Sequence, residues 1–284
     1  MNLIRLSLQN HMGYLLAAAI ANYCTVNTCF AANSSVPTRV LFVGNSLTYV
    51  NDLPGLVNGL INLQQKKPRM TVDALVTGGG QLIERWNEGV LKRALSSRQF
   101  AVVVLQEQGG MLRCLIQQPS AQMCLDSIRA HKAIAAYAKS VDVRPILLGT
   151  WGRNDAEQAI LSAGLNEMAT LVRSEAVDSG AVFSAYAKLD RTAQLTIDEQ
   201  LHPSLQASSI VAILLAQTIT QRCLAPRNSR VKYIPADAQN YFTAGQLRSS
   251  QIGGFTTPPD FLTISGAMII RVSKITEGNI ECKR

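Results

Sequence analysis

The sequence predicts an α/β protein, a three-layer α/β/α sandwich around a flavodoxin-like parallel sheet of about five strands. Apolar, β-rich segments alternate with helical patterns along most of the chain, which is typical of such sheets. The first of these segments, Val40–Val43, is a continuous apolar run, as expected of a parallel strand that is covered on both faces. The chain has 284 residues, 47% of them hydrophobic, and is therefore long enough to bury one sizeable core.

Five apolar segments predict the strands, and the stretches between them predict the helices. Strands are expected at Val40–Val43, Thr71–Val76, Phe100–Leu105, Pro145–Leu148 and Gly180–Ser184. Helices are expected from Leu53, over Gln81–Leu95, Ser127–Ser140 and Ala156–Val177, and after His202-Pro203. The last helix is indicated by an apolar face of Ile210, Val211, Leu214, Leu215 and Ile219.

The two ends of the chain differ from this pattern. Arg5 precedes a short apolar stretch, Gly13–Ala21, and small residues lead to Ala31 and Ala32, so residues 1–32 predict a secretory signal peptide. The stretch is too short to span a membrane; cleavage nearer Ala21 and an apolar N-terminal helix are the alternatives. One domain is expected over residues 33–227. Residues 228–284 form an extension without an assigned role, in which 261–272 are compatible with a strand.

Four cysteines remain once the leader is removed: Cys114, Cys124, Cys223 and Cys282. An even number in an exported chain predicts disulfides. The short separation of Cys114 and Cys124 favours their pairing, which leaves Cys223 to tether Cys282, although other connectivities stay open. No CxxC motif and no cluster of zinc ligands occurs in the sequence.

The charge of the chain gives little support to nucleic-acid binding. The formal net charge is +8, but the basic residues are dispersed and aromatic residues make up only 6% of the chain. A soluble, basic, exported protein without a membrane span is the expectation.

Ser46 lies where a parallel sheet commonly holds its chemistry. The first predicted strand, Val40–Val43, is followed by Gly44, Asn45 and Ser46, and a helical pattern opens soon afterwards. Open α/β sheets bind ligands at the carboxyl ends of their strands, beside helix starts. The alternative is a serine in an ordinary strand-to-helix turn.

Only one histidine is a candidate base for such a serine. His11 lies in the leader, and His131 lies within a predicted helix, where a solvated surface histidine is expected. His202 stands in a loop before the last helix, close to Asp198 and Glu199. The helix N-terminus favours neutral imidazole and a neighbouring carboxylate favours the protonated ring, an opposition that suits a general base. A capping or surface histidine is the alternative, and too few other ligands are present for a metal site.

Four blocks together resemble the SGNH (GDSL-type) hydrolases over about residues 38–222. They are Gly44-Asn-Ser-Leu-Thr48, the turn Gly78–Gly80, Leu105-Gln-Glu-Gln-Gly109 and His202-Pro203, and Thr150-Trp151 also fits. The resemblance is to the branch with GNS in its first block and LQxQ in its third. It implies the SGNH-hydrolase fold for the domain and a serine esterase that needs no cofactor.

The resemblance also implies roles for individual residues. Ser46 would be the nucleophile, and its main-chain N–H would be one oxyanion donor. Gly79 or Gly80 would supply a second donor. Gln108 takes the place of the family's Asn, whose side-chain amide donates to the oxyanion, but the longer side chain leaves its direction open.

The last block departs from the family's DxxH spacing. His202 would be the base, and the acid three residues before it is Glu199, whereas Asp198 is the residue type that the family uses. Both remain candidates for the orienting carboxylate.

The implied substrates are acyl esters of glycans or small molecules. Carbohydrate O-deacetylation is the first expectation, and a lipid or thioester acyl hydrolase is the second. A glycan-binding module without catalysis is the alternative from another class. A nucleotide site at Gly78–Gly80 is disfavoured because the third Gly of GxGxxG and a P-loop Lys are missing, and the absence of GxSxG disfavours the α/β-hydrolase fold.

Overall fold

The computed structural model describes residues 38–64, 70–97, 99–234, 248–249 and 260–276. The strands are β1 (Thr38–Gly44), β2 (Met70–Val76), β3 (Val102–Gln106), β4 (Arg144–Leu148), β5 (Glu175–Val177), β6 (Ser229–Tyr233), β7 (Arg248–Ser249) and β8 (Asp260–Ile264). The helices are α1 (Ser46–Tyr49), α2 (Leu53–Gln64), α3 (Leu82–Asn87), α4 (Val90–Ser96), α5 (Cys114–Gln117), α6 (Gln122–Ser140), α7 (Asp155–Val172), α8 (Ser179–Leu189), α9 (Leu205–Thr220) and α10 (Gly266–Ile275).

Five parallel strands form the centre of the molecule, in the order β5-β4-β3-β1-β2, and the short β7 pairs antiparallel with β2. Successive side chains of β1 point to opposite faces, and both sets are buried. Val40 and Phe42 pack with α2 and α9, whereas Leu41 and Val43 pack with α4 and α6. This explains the continuous apolar run and confirms the predicted three-layer sandwich with a flavodoxin-like strand order.

The fifth strand lies earlier in the chain than predicted. The segment predicted as a strand, Gly180–Ser184, belongs to helix α8, and β5 occupies residues that were expected to end the preceding helix. Helix α7 ends because Arg173 takes a left-handed conformation, φ 50°. The Asp178 side chain then accepts from Ala181 N at 2.9 Å and starts α8. A strand and a buried helical turn cannot be told apart from a short apolar run alone. In this segment the Asp178 cap favours the helix.

The predicted helix Gln81–Leu95 is also divided, because Gly89 adopts φ 70° between α3 and α4. Glycine takes this backbone conformation more readily than residues that carry a Cβ.

The described part of the C-terminal extension packs on the same core as the parallel sheet. Strands β6 and β8 form an antiparallel pair, and Val231 of β6 contacts α2 so closely that a Cβ at Gly59 would lie 2.2 Å from its Cγ1. The expected strand over 261–272 ends at Ile264. The Ser265 side chain caps α10 there, and Gln217 of α9 donates to Ser273 at 2.8 Å.

The disulfide Cys114–Cys124 is present, with the two Cα atoms 5.6 Å apart. Cys223 is disulfide-bonded as well, and Cys282, its expected partner, lies outside the described residues. No helix within the described ranges combines the length and the apolar character that crossing a membrane requires.

Candidate active site

Ser46 is the first residue of helix α1, immediately beyond the carboxyl end of β1. Asn45 is the cap of this helix, and its Oδ1 accepts from Leu47 N at 3.1 Å. The side chain of Ser46 is half-buried, whereas both neighbours are buried. The N–H groups of a first helical turn have no partner within the helix. The turn therefore presents a hydroxyl and a main-chain donor at the sheet edge.

The turn that carries Ser46 rests on the buried side chain of Gln106, at the end of β3. Gln106 Oε1 accepts from Asn45 N at 3.1 Å and from Thr48 Oγ1 at 2.8 Å. A Cβ at Gly44 would lie 2.6 Å from the same oxygen, so only glycine fits there. Sequence reasoning missed these supporting roles. The available signal was that the polar residues fall inside the first and third blocks, at the ends of apolar strands.

The Gly78–Gly80 turn lies beside this helix start. Asn45 Nδ2 donates to Gly80 O at 3.1 Å, and Thr77 N donates to Gly44 O at 3.2 Å. Gly79 is exposed with φ 67°, whereas Gly80 is buried and its N–H donates to Thr77 O at 3.1 Å. Both expected glycines thus stand close to the Ser46 turn.

The three polar side chains of the third block differ in their burial and in their hydrogen-bond partners. Gln106 and Glu107 are buried, whereas Gln108 is half-buried. Gln108 Oε1 accepts from Gln81 Nε2 at 3.1 Å. Glu107 Oε1 accepts from Leu82 N at 3.2 Å and from Gln108 N at 2.8 Å, so one carboxylate holds the third block against the start of α3.

His202 lies in a tight hairpin before helix α9. Ile197 N donates to His202 O at 2.9 Å, and Ser204 N donates to Leu195 O at 3.0 Å. The turn is closed by Leu201 N, which donates to the Asp198 carbonyl at 3.1 Å, and Leu201 takes φ 63°. A left-handed residue at the end of the turn is common in three-residue hairpin loops.

This hairpin brings Asp198, rather than Glu199, to the imidazole. His202 Nδ1 lies 2.5 Å from Asp198 Oδ2, and His202 N donates to Asp198 Oδ1 at 3.0 Å. The hydrogen bond from the His202 ring, followed by that from its main-chain N–H, holds the pKa of Asp198 below its ordinary value. Glu199 is exposed. The two residues of this pair are four positions apart in the chain, one more than in the DxxH spacing that the resemblance implies.

Asn51 connects the Ser46 segment to the His202 segment. Its Nδ2 donates to Pro203 O at 2.9 Å and to Ser208 Oγ at 3.0 Å. Asn51 has φ 58°, a conformation that Asn adopts more readily than most residues. Trp151 Nε1 donates to Leu201 O at 2.8 Å and holds the hairpin from the fourth strand's side. Within the described ranges, Ser46 and His202 make no direct hydrogen bond to each other.

The expectation of a solvated His131 was wrong. This side chain is 1% exposed, and its Nδ1 lies 2.8 Å from Ser127 O and 3.9 Å from Glu107 Oε2. Burial lowers the pKa of His131, and the nearby Glu107 opposes that shift. The sequence predicted that His131 lies in a helix. It did not predict that its side chain lies on the face of α6 that packs against the third block. In the parts of the chain that the structure describes, no group of three or more His, Cys, Asp or Glu side chains could hold a metal ion.

No protein-family model matches the chain, and no curated protein sequence matches it. Solved structures do match. A catalytic mutant of Axe2, an acetylxylan esterase from Geobacillus stearothermophilus, aligns with a TM-score of 0.50 at 15% identity, over 65% of this chain and 96% of its own. The acetyl xylan esterase AlAXEase aligns with a TM-score of 0.52 at 15% identity, over 64% and 99%.

LAE5, an alpha/beta hydrolase enzyme from the metagenome of Lake Arreo in Spain, aligns with a TM-score of 0.50 at 15% identity, over 64% of this chain and 94% of its own. At these identities the likeness shows the fold alone, a parallel sheet with helices on both faces.

Proposed function

We propose that this chain is an exported serine esterase of the SGNH type, which hydrolyses acyl esters through an acyl-enzyme. The observation that carries the proposal is the Asp198–His202 pair, which Asn51 ties to the strand-end turn bearing Ser46. A hydroxyl, an imidazole and an orienting carboxylate are the three groups that this chemistry needs.

In the proposed reaction Ser46 Oγ attacks the acyl carbon while His202 Nε2 takes the hydroxyl proton. Asp198 accepts from Nδ1–H and so keeps Nε2 free to act as the base. His202 then gives the proton to the leaving alcohol, and water resolves the acyl-enzyme by the same route. The bond between Ser46 and His202 would close as substrate binds, since catalytic hydrogen bonds often tighten only in the Michaelis complex.

The oxyanion is assigned to three donors. They are the main-chain N–H of Ser46, one N–H of the Gly79–Gly80 turn and the side-chain amide of Gln108. The hydrogen bonds from Asn45 to Gly80 and to Gln106 support this assignment, because they hold both neighbouring blocks against the Ser46 turn. Preorganised donors of this kind are a large part of esterase catalysis.

For the substrate, we propose O-acetyl groups on carbohydrates. Two of the three matching structures described above are acetylxylan esterases, which supports an acetyl ester on a glycan. Export is proposed from the leader at residues 1–32, which lies outside the described residues, together with the Cys114–Cys124 disulfide. We further propose that residues 33–227 carry the activity and that 228–284 extend the same core.

The test is hydrolysis of p-nitrophenyl acetate and of acetylated xylo-oligosaccharides by the wild type and by Ser46→Ala. Loss of at least about a thousandfold in kcat for Ser46→Ala, with Glu199→Ala close to wild type, is the expected result. Equal background rates for wild type and Ser46→Ala on both substrates would overturn the esterase and favour a glycan-binding module. A preference for long-chain p-nitrophenyl esters over acetate would replace the glycan substrate by a lipid one.

A further inference from the structure

Gln81 and Gln108 lie on either side of the Ser46 turn. Gly80, which precedes Gln81, accepts from Asn45 Nδ2 at 3.1 Å. A Cβ at Gly109, which follows Gln108, would lie 3.1 Å from Leu47 Cδ1. The residues next to each glutamine therefore lie beside the residues next to Ser46, and this proximity puts the hydrogen bond between the two glutamines near the proposed oxyanion site.

We propose that Gln81 is a positioning residue for the reaction, which decides which end of the Gln108 carboxamide faces the oxyanion. This inference rests on the proposed esterase function. A carboxamide has an accepting oxygen and a donating nitrogen. Gln81 Nε2 donates to Gln108 Oε1 at 3.1 Å, so the NH₂ of Gln108 is the end that remains for the substrate. A reversed Gln108 amide would direct its oxygen at the developing negative charge and would oppose the reaction.

Hydrogen bonds hold the main chains of Gln81 and Gln108 in place. The direction of the side-chain amide is therefore the feature that a substitution can change. Glu107 is buried, and its Oε1 accepts from the N–H groups of Leu82 and Gln108. Its Oε2 accepts from Ser127 Oγ at 2.8 Å. Gln81 N–H donates to Glu84 Oε2 at 2.9 Å, so a change in the Gln81 side chain leaves this main-chain bond in place.

Among the described residues, the Gln108 side chain has one hydrogen-bond partner, Gln81. A glutamine has more rotatable bonds than an asparagine, so its amide needs such an anchor to keep one direction. The Gln81 donor supplies it, because the carboxamide oxygen can accept from Gln81 only while the nitrogen points elsewhere. Gln81 thus acts on the reaction through Gln108 and does not itself have to touch the acyl group.

The experiment places Gln81→Met and Gln81→Glu in the wild-type background and in a Gln108→Ala background, with p-nitrophenyl acetate as substrate. Gln81→Met removes the donor and should lower kcat about three- to tenfold with little change in KM. Gln81→Glu can only accept, so it should reverse the Gln108 amide and lower kcat further. In the Gln108→Ala background, itself expected to be about a hundredfold slower, neither change should lower kcat again.

Gln122→Met is the control, since Gln122 is an exposed glutamine at the start of α6, and its side chain donates to Asp126 Oδ1 at 3.0 Å. A Gln81→Met variant that keeps the wild-type kcat would overturn the inference while leaving the esterase intact. So would equal losses in the two backgrounds, which would indicate a purely structural or long-range electrostatic effect. A wild type that hydrolyses no ester overturns the proposed function and this inference with it. If Gln81→Met has a lowered Tm, the loss of kcat caused by Gln81→Glu in each background is the test. A loss in the wild-type background alone supports the inference, and equal losses in both backgrounds overturn it.

Discussion

The carboxylate that orients His202 can be identified by replacing Asp198 and Glu199 in turn. Asp198 makes two hydrogen bonds to His202, at 2.5 Å to the ring and 3.0 Å to the main chain, whereas Glu199 makes none to His202 within the described residues. Asp198→Asn can turn its amide nitrogen toward Nδ1, which would place the imidazole proton on Nε2 and prevent it from accepting the Ser46 proton. The corresponding change in the serine-protease triad lowers kcat by about 10⁴-fold, and we expect a similar loss.

Asp198→Ala should be less harmful than Asp198→Asn, because the structure leaves room for water at this pair. The His202 side chain is 20% exposed and that of Asp198 is 40% exposed, so water can replace the lost carboxylate without forcing the wrong tautomer. We expect a loss of about 10²- to 10³-fold in kcat for Asp198→Ala and a change within about twofold for Glu199→Gln.

The assay is the steady-state hydrolysis of p-nitrophenyl acetate at neutral pH, with a thermal melt of each variant to show that it is folded. Retention of more than about a tenth of the wild-type kcat by Asp198→Asn would refute the reasoning. A larger loss for Glu199→Gln than for Asp198→Ala would refute it as well, and would return the role to Glu199.

Three further predictions follow from the contacts around the site. Asn51→Gly keeps the left-handed backbone but loses the hydrogen bonds to Pro203 O and Ser208 Oγ, so kcat should fall about three- to tenfold with a modest fall in Tm; an unaltered kcat would contradict this. Replacing Cys114 and Cys124 by Ser opens a loop with a sequence separation of 10. The free energy of unfolding in urea should then fall by about 2–3 kcal/mol, and an unchanged denaturation midpoint would count against it. His131, whose pKa burial lowers, takes a proton more readily in the unfolded chain than in the folded one, so its contribution to stability is lost as the pH falls below about 6.5. His131→Gln should flatten this fall in Tm, and parallel curves for variant and wild type would exclude the effect.

Much of the fold is predictable from the sequence because most of the central strands are marked by apolar residues that follow one another in the chain. Four of the five parallel strands fall within a few residues of their predicted positions, since each is a short, mostly apolar segment of strand length. The fifth was misplaced because the apolar residues of Gly180–Ser184 fit a buried helical face as well as a strand. The side chain of Asp178, which caps the helix, decided between the two.

In the candidate site, too, some residues could be predicted from the sequence and others could not. Ser46 and His202 were singled out by local context, at a strand end and before a helix, and their blocks carry that context in consecutive residues. Gln106 and Asn51 were missed as supporting residues, because their partners lie far away in the chain. The bond from Asn51 to Pro203, for example, spans 152 residues.

The sequence by itself determined the strand-end serine, its candidate base and the class of sheet that holds them, because these depend on apolar periodicity and on residues adjacent in the chain. Only the tertiary structure decided which carboxylate meets His202, which face of α6 is buried and what holds the Gln108 amide. The physical reason is that each of these depends on a backbone angle or a long-range contact. The left-handed Leu201, the packing of α6 on the third block and the Gln81–Gln108 bond are set by the folded chain as a whole.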